Sequence, residues 1–188
     1  QIPCGEPRRK RSPPPAKSKE DVYMLHEVSV SGLAMDPSSN APILLLNAVN
    51  EDFSIPIWIG LLEAASIASV LQNITFDRPM THDLFKNFID KLNVTVPKIE
   101  VCDLKDNTFY AKIYCVDGEE EFIMDARPSD AIALALRLKA AIFVDERVVE
   151  RLKVKDGEYE SLDNSDQGKE WEEYLKNLSP DDFGKYKV

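Results

Sequence analysis

Between Tyr23 and Leu33 the chain alternates, with Val28, Val30 and Gly32 on one side and Glu27, Ser29 and Ser31 on the other. A period of two marks a strand with one face buried. His26 shares the apolar side and is expected at the core or its edge. Asp36-Pro37-Ser38-Ser39-Asn40 reads as a turn, and Ile43–Asn50 and Phe53–Ile59 as a hairpin joined at Glu51-Asp52, with Trp58 in the core. Gly60 ends the second strand. From Leu61 to Asn73 the spacing becomes helical, with Leu62, Ala65, Ile67, Ala68 and Leu71 as the expected buried face.

A second helix is expected from Thr81, its N-cap, with Asp83 in the first turn and Leu84, Phe85, Phe88, Ile89 and Leu92 as the core stripe. Val94–Asp103, Thr108–Val116 and Glu121–Ala126 have strand character. Lys105-Asp106-Asn107 and Asp117-Gly118 separate them with residues that favour hairpin turns. A third helix opens at Pro128-Ser129-Asp130, with Ser129 as the expected cap, and runs through Lys139. Ile142-Phe143-Val144 is a short closing strand. This order predicts a single α+β domain over residues 23–144: a mixed, largely antiparallel sheet packed with about three helices.

The flanks differ in composition. Residues 1–22 carry Arg8, Arg9, Lys10, Arg11, Lys17 and Lys19 around a Pro13-Pro14-Pro15 run, and are expected to form a flexible basic leader. Residues 145–188 are read as an acidic extension holding one short helix, Lys169–Asn177, with Trp171, Tyr174, Leu175 and Leu178 in a stripe.

Bulk numbers narrow the function classes. A chain of 188 residues builds one substantial core rather than two. Its longest apolar runs, Ile43–Val49 and Ile132–Leu136, fall far short of the roughly 20 residues that span a bilayer, so no membrane association is expected. The net charge of −10 argues against a broad basic face for nucleic acid, although a local site can still hold phosphate. Cys4, Cys102 and Cys115 have no metal spacing, and an odd count suits a reduced protein. The cytoplasm is the expected compartment, with export after signal cleavage left open. Cys102 and Cys115 are expected as small core or edge hydrophobes.

Two helix starts carry more chemistry than capping requires. One is Arg78-Pro79-Met80-Thr81-His82-Asp83-Leu84; the other is Asp125-Ala126-Arg127-Pro128-Ser129-Asp130. Each sets hydroxyls, carboxylates and a guanidinium beside unpaired backbone N–H groups, where the helix dipole favours anions. Capping explains Thr81, Ser129, Asp83 and Asp130, but not His82, Arg78, Asp125 or Arg127. A neutral imidazole at His82 suits a general base, and an arginine suits the charge that builds on a phosphoryl group. Glu63, in the first turn after Gly60, either serves the dipole or faces the same cleft. The zinc-site, Gly-rich-loop and serine-elbow patterns of familiar hydrolases are missing.

Gly32-Leu33-Ala34, Pro56–Ala64, Arg78–Leu84 and Asp125–Ala135 resemble, in order and spacing, the bifunctional nuclease domain of bacteria and plants. The Asp-Ala-Arg-Pro-Ser-Asp-Ala-Ile-Ala-Leu-Ala string from Asp125 is the most specific part. The end of the chain, Leu178–Tyr186, is similar to that of many bacterial members. The resemblance implies an α+β fold and, as for some members of the family, hydrolysis of both DNA and RNA. Attack on both would exclude a ribose 2′-hydroxyl nucleophile and leave water as the attacker. His82 is then the expected base, oriented by Asp83 or Asp125, with Arg127 and Arg78 neutralising the phosphate. Thr81, Ser129 and Asp130 are the further expected phosphate-site residues. Glu63, Asp125 and Asp130 are candidates for holding magnesium or manganese. A non-catalytic module that binds a nucleotide, a phosphorylated metabolite or a protein is the competing reading. A homodimer is the expected assembly, built on an exposed strand or helix face.

Overall fold

The computed structural model describes residues 24–155; Cys4, the expected leader and the expected Lys169–Asn177 helix lie outside the described residues. Two antiparallel meanders form the two halves of the sheet. The first is β1 (Leu25–Met35), β2 (Pro42–Ala48) and β3 (Ser54–Trp58); the second is β4 (Thr95–Lys105), β5 (Thr108–Asp117) and β6 (Glu120–Ala126). The second meander turns where its sequence favours it. Asp106 and Asn107 both adopt positive φ, 47° and 60°, as a two-residue type I′ hairpin demands, and Gly118 takes φ 63° at the next turn.

Between the meanders lie α1 (Leu61–Leu71) and α2 (Thr81–Lys91). After β6, α3 (Pro128–Leu138) carries the chain back across the sheet, and β7 (Ala141–Asp145) inserts between β1 and β4. β7 runs antiparallel to β1 and parallel to β4, the one parallel pairing in the sheet order β3-β2-β1-β7-β4-β5-β6. The mixed, largely antiparallel α+β sheet expected from the sequence is therefore the architecture found.

The core lies between the sheet and the helices. Leu44, Leu46, Ile55 and Ile57 from one half and Ile99, Val101, Ala111 and Ile113 from the other are nearly inaccessible. Each of the buried valine, leucine and isoleucine side chains contributes about 1.5–3 kcal/mol of hydrophobic stabilisation. α3 is buried through Ala131–Ala135, and its alanines let the backbone lie close to the strands.

Several placements depart from the sequence pattern. The fold continues past Val144 into α4 (Glu146–Lys155), whose Val148 and Val149 belong to the core. Arg147 binds Asp145, and Arg151 reaches Asp103 Oδ1 and the Leu104 carbonyl, each at 2.5 Å. Trp58 is 41% exposed on the edge strand, its indole N–H donating to Asp36 Oδ2 at 3.2 Å. In α1 the buried residues are Ala64, Ile67, Ala68 and Ser69, while Leu62 is 82% exposed. In α2 only Ile89 is buried, and Leu84, Phe88 and Leu92 form an exposed ridge. α2 packs mainly on α3 rather than on the sheet, so one row of contacts suffices to seat it. Cys102 and Cys115 are buried free thiols, and burial pushes both up from the ordinary thiol pKa. His26 is buried against Phe53 and bonds Glu51. No helix among the described residues is long and apolar enough to cross a membrane.

Candidate active site

The starts of α1, α2 and α3 converge on one cleft of about 310 Å³. Glu63, Ser66, Thr81, His82, Arg127 and Asp130 line it, with Leu62, Phe76 and Met80 as apolar walls. His82 is held between two of these side chains. Nε2 lies 3.2 Å from Asp130 Oδ1, and Nδ1 lies 2.9 Å from Ser66 Oγ.

These contacts fix the tautomer. Burial alone would push the Asp130 carboxyl up, but hydrogen bonds and charge from Arg127 and His82 outweigh it and hold the pKa below the ordinary carboxylate value. Asp130 is therefore ionised near neutrality and can only accept. Nε2 must carry the proton of a neutral His82, which leaves the Nδ1 lone pair to accept from the Ser66 hydroxyl.

Arg127 closes the other side. Its Nε and Nη2 donate to Asp130 at 2.7 and 3.0 Å, and its Nη1 lies 2.8 Å from Glu63 Oε1. The bonds to Asp130, then the nearby charges, raise its pKa further above the ordinary guanidinium value. Three of its five N–H groups are engaged, and the side chain is 65% exposed at the cleft mouth. Glu63 reaches Arg127 because the residue before α1 is Gly60. A Cβ there would lie 2.2 Å from Glu63 Oε2, so a side chain at Gly60 displaces the carboxylate.

Beneath the cleft, Arg137 ties the three helices together. Its Nε donates to Asp83 at 2.6 Å, its Nη1 to the Ser66 and Ala133 carbonyls, and its Nη2 to Ser69 Oγ at 3.5 Å. Asp83 also accepts the Met80 backbone N–H at 3.0 Å, closing the start of α2. The cleft thus brings together an imidazole, a hydroxyl, a carboxylate bonded to that imidazole and a guanidinium, on a support shared by three helices.

The profile of the bifunctional nuclease domain matches residues 44–156, which contain every cleft residue named above. The chain belongs to the bifunctional nuclease domain family. It is 36% identical to an uncharacterised protein of Mycobacterium tuberculosis over 162 residues, covering 84% of this chain and 97% of that protein. It is 28% identical to bifunctional nuclease 1 of Oryza sativa over 116 residues, 60% of this chain and 35% of the rice protein. With bifunctional nuclease 2 of Arabidopsis thaliana it shares 26% identity over 133 residues, 69% and 40% of the two chains. The matched segments therefore cover well under half the length of these plant family members.

Within this family domain, the fold gathers Glu63, Thr81, His82, Arg127 and Asp130 from the residues singled out by sequence, and leaves others aside. Asp125 projects from the opposite face of the sheet, in register with Lys112, because its neighbours Met124 and Ala126 face the core. Arg78 is exposed on the turn before α2 and does not line the cleft. Ser129 is buried, and the N-cap of α3 is Arg127 rather than Ser129. The N-cap of α2 is Met80, one residue before Thr81. The carboxylate in contact with His82 is Asp130, not Asp83 or Asp125. Ser66 and Arg137 went unnoticed in the sequence. Ser66 lies one turn after Glu63 and Arg137 two turns after Asp130, a helical spacing that carries the signal.

The three residues nominated for a divalent cation do not all come together in the cleft. Asp125 is across the sheet, and Glu63 and Asp130 are both held by the Arg127 guanidinium. No group of three histidine, cysteine or carboxylate ligands gathers among the described residues.

Proposed function

We propose that the α1–α2–α3 cleft hydrolyses phosphodiester bonds in DNA and RNA, with His82 as the general base. The observation that carries this reading is the contact of His82 Nε2 with Asp130 at 3.2 Å: a carboxylate there accepts the Nε2–H of a neutral imidazole, which leaves the Nδ1 lone pair on the cleft side. The attacking hydroxyl gives its proton to Nδ1, and Asp130 stabilises the imidazolium that results. Arg127, beside Asp130 at the open mouth, meets the non-bridging phosphate oxygens with its unengaged N–H groups and opposes the charge that builds on them. Nothing in this arrangement uses a ribose 2′-hydroxyl, which suits a site acting on both kinds of nucleic acid. The names of the rice and Arabidopsis relatives support the same substrate class.

The two buried free thiols agree with a reducing compartment, and we place the protein in the cytoplasm on that basis. The test of function is cleavage of single-stranded DNA and RNA by the purified chain and by His82→Ala. The wild-type protein is expected to cut both. The variant should be about 10²–10⁴-fold slower, the usual contribution of a positioned base. Wild-type protein that cuts neither, or a variant that keeps the full rate, overturns the proposal.

A further inference from the structure

We infer that Ser66 is the nucleophile of this cleft, so that hydrolysis passes through a phosphoseryl intermediate on α1 and water enters only in the second step. The assignment rests on the hydrolytic reading of the same site and replaces water as its first attacker.

The geometry separates Ser66 from an ordinary helical serine. A serine within a helix commonly turns its hydroxyl back to a carbonyl one turn earlier, as Ser69 does to the Ser66 carbonyl at 2.8 Å. Ser66 instead directs Oγ at His82 Nδ1, 2.9 Å away on another helix. Because Asp130 fixes the proton on Nε2, that contact has one polarity: Ser66 donates and Nδ1 accepts. Hydroxyl, imidazole and carboxylate form a relay in which a nucleophile meets a base oriented by a third group. Ser66 is also immobilised from below, its carbonyl accepting from Arg137 Nη1 and Ser69 Oγ. It is half-buried and lines the cleft, so its oxygen is held without being sealed.

The chemistry balances with water alone. Ser66 Oγ bonds to phosphorus as its proton passes to His82 Nδ1, and the bond from phosphorus to the leaving oxygen breaks. His82 then returns the proton to that oxygen. In the second step water attacks the phosphoseryl group, Nδ1 takes its proton, and the bond between phosphorus and Oγ breaks. Oγ recovers its proton from Nδ1, restoring the starting site.

The test uses diisopropyl fluorophosphate, which phosphorylates activated serines whether or not a protein cuts nucleic acid. The full chain and His82→Ala are treated in parallel, and adducts are mapped by peptide mass spectrometry while nuclease activity is measured separately. The expected result is one adduct, on Ser66, at least about 100-fold slower in His82→Ala, the scale of a positioned base. His82→Gln, which keeps a polar side chain, should be slow as well and guards against misfolding of the alanine variant. Wild-type protein without an adduct on Ser66, or labelled no faster than both variants, overturns the inference. A Ser66 adduct in protein that cuts no nucleic acid would sink the nuclease reading and keep the nucleophile. Cleavage without the adduct would do the reverse.

Discussion

At Asp130 one carboxylate has two tasks: it holds the Nε2–H of His82 and it binds Arg127 through both oxygens. Asp130→Asn separates them from mere bulk. An asparagine can turn its NH₂ toward Nε2, which moves the imidazole proton to Nδ1 and removes the base. Hydrolysis should then fall about 10²–10⁴-fold with the fold intact. The same carboxylate leaves a mark on acid stability. Its folded pKa lies below the ordinary 3.8, so it stabilises the fold fully above that value and loses this contribution as pH falls through the folded pKa. Urea unfolding should show a stability gap between wild type and Asp130→Asn that is constant above about pH 5 and closes below about pH 4. A gap that persists unchanged to pH 2 would contradict the ion pairing. The sequence marks this residue as a carboxylate at a helix start and a candidate for phosphate or a cation, not as the partner of His82. Its partner, forty-eight positions away, is set by the meeting of α2 and α3.

Among the elements, the strands were legible because their apolar residues alternate and their turns are chemically marked, as at Asp106-Asn107 and Gly118. Helix faces were read less well. Leu62 and Leu84 look like core residues in a helical projection, yet the cleft and the α2 ridge leave them exposed. α4 was hidden for the opposite reason, since Val148, Val149 and Leu152 are spaced helically among charged residues. Helical spacing from Asp130 puts Arg137 on the same side of α3, but its function depends on three helices arriving together. Its side chain is 5% exposed and spans Asp83, two carbonyls and Ser69. Arg137→Met fills the volume and leaves those acceptors unpaired, so it should cost about 2–3 kcal/mol in urea unfolding. Activity should fall with it, because Ser66 and His82 lose a common support. A variant as stable as wild type would show that apolar packing, rather than Arg137, holds the helices in place.

The whole molecule sets a small polar cleft on an acidic body. A net charge of −10 repels a polyanion at long range, so recognition falls to the few groups at the cleft mouth. β7 makes that cleft by stitching the two meanders together, which brings the α1 and α2 connection from one half against α3 from the other. The central claim is that His82 and Arg127, from these separate elements, act on one phosphate. Kinetics of His82→Ala, Arg127→Ala and the double variant on single-stranded DNA test it most directly. Each single variant is expected to lose about 10²–10⁴-fold in kcat/KM, and the double variant little more than the worse single one, as for groups that work as a unit. Losses that multiply in the double variant, or an Arg127→Ala protein with undiminished kcat/KM, would contradict a shared site.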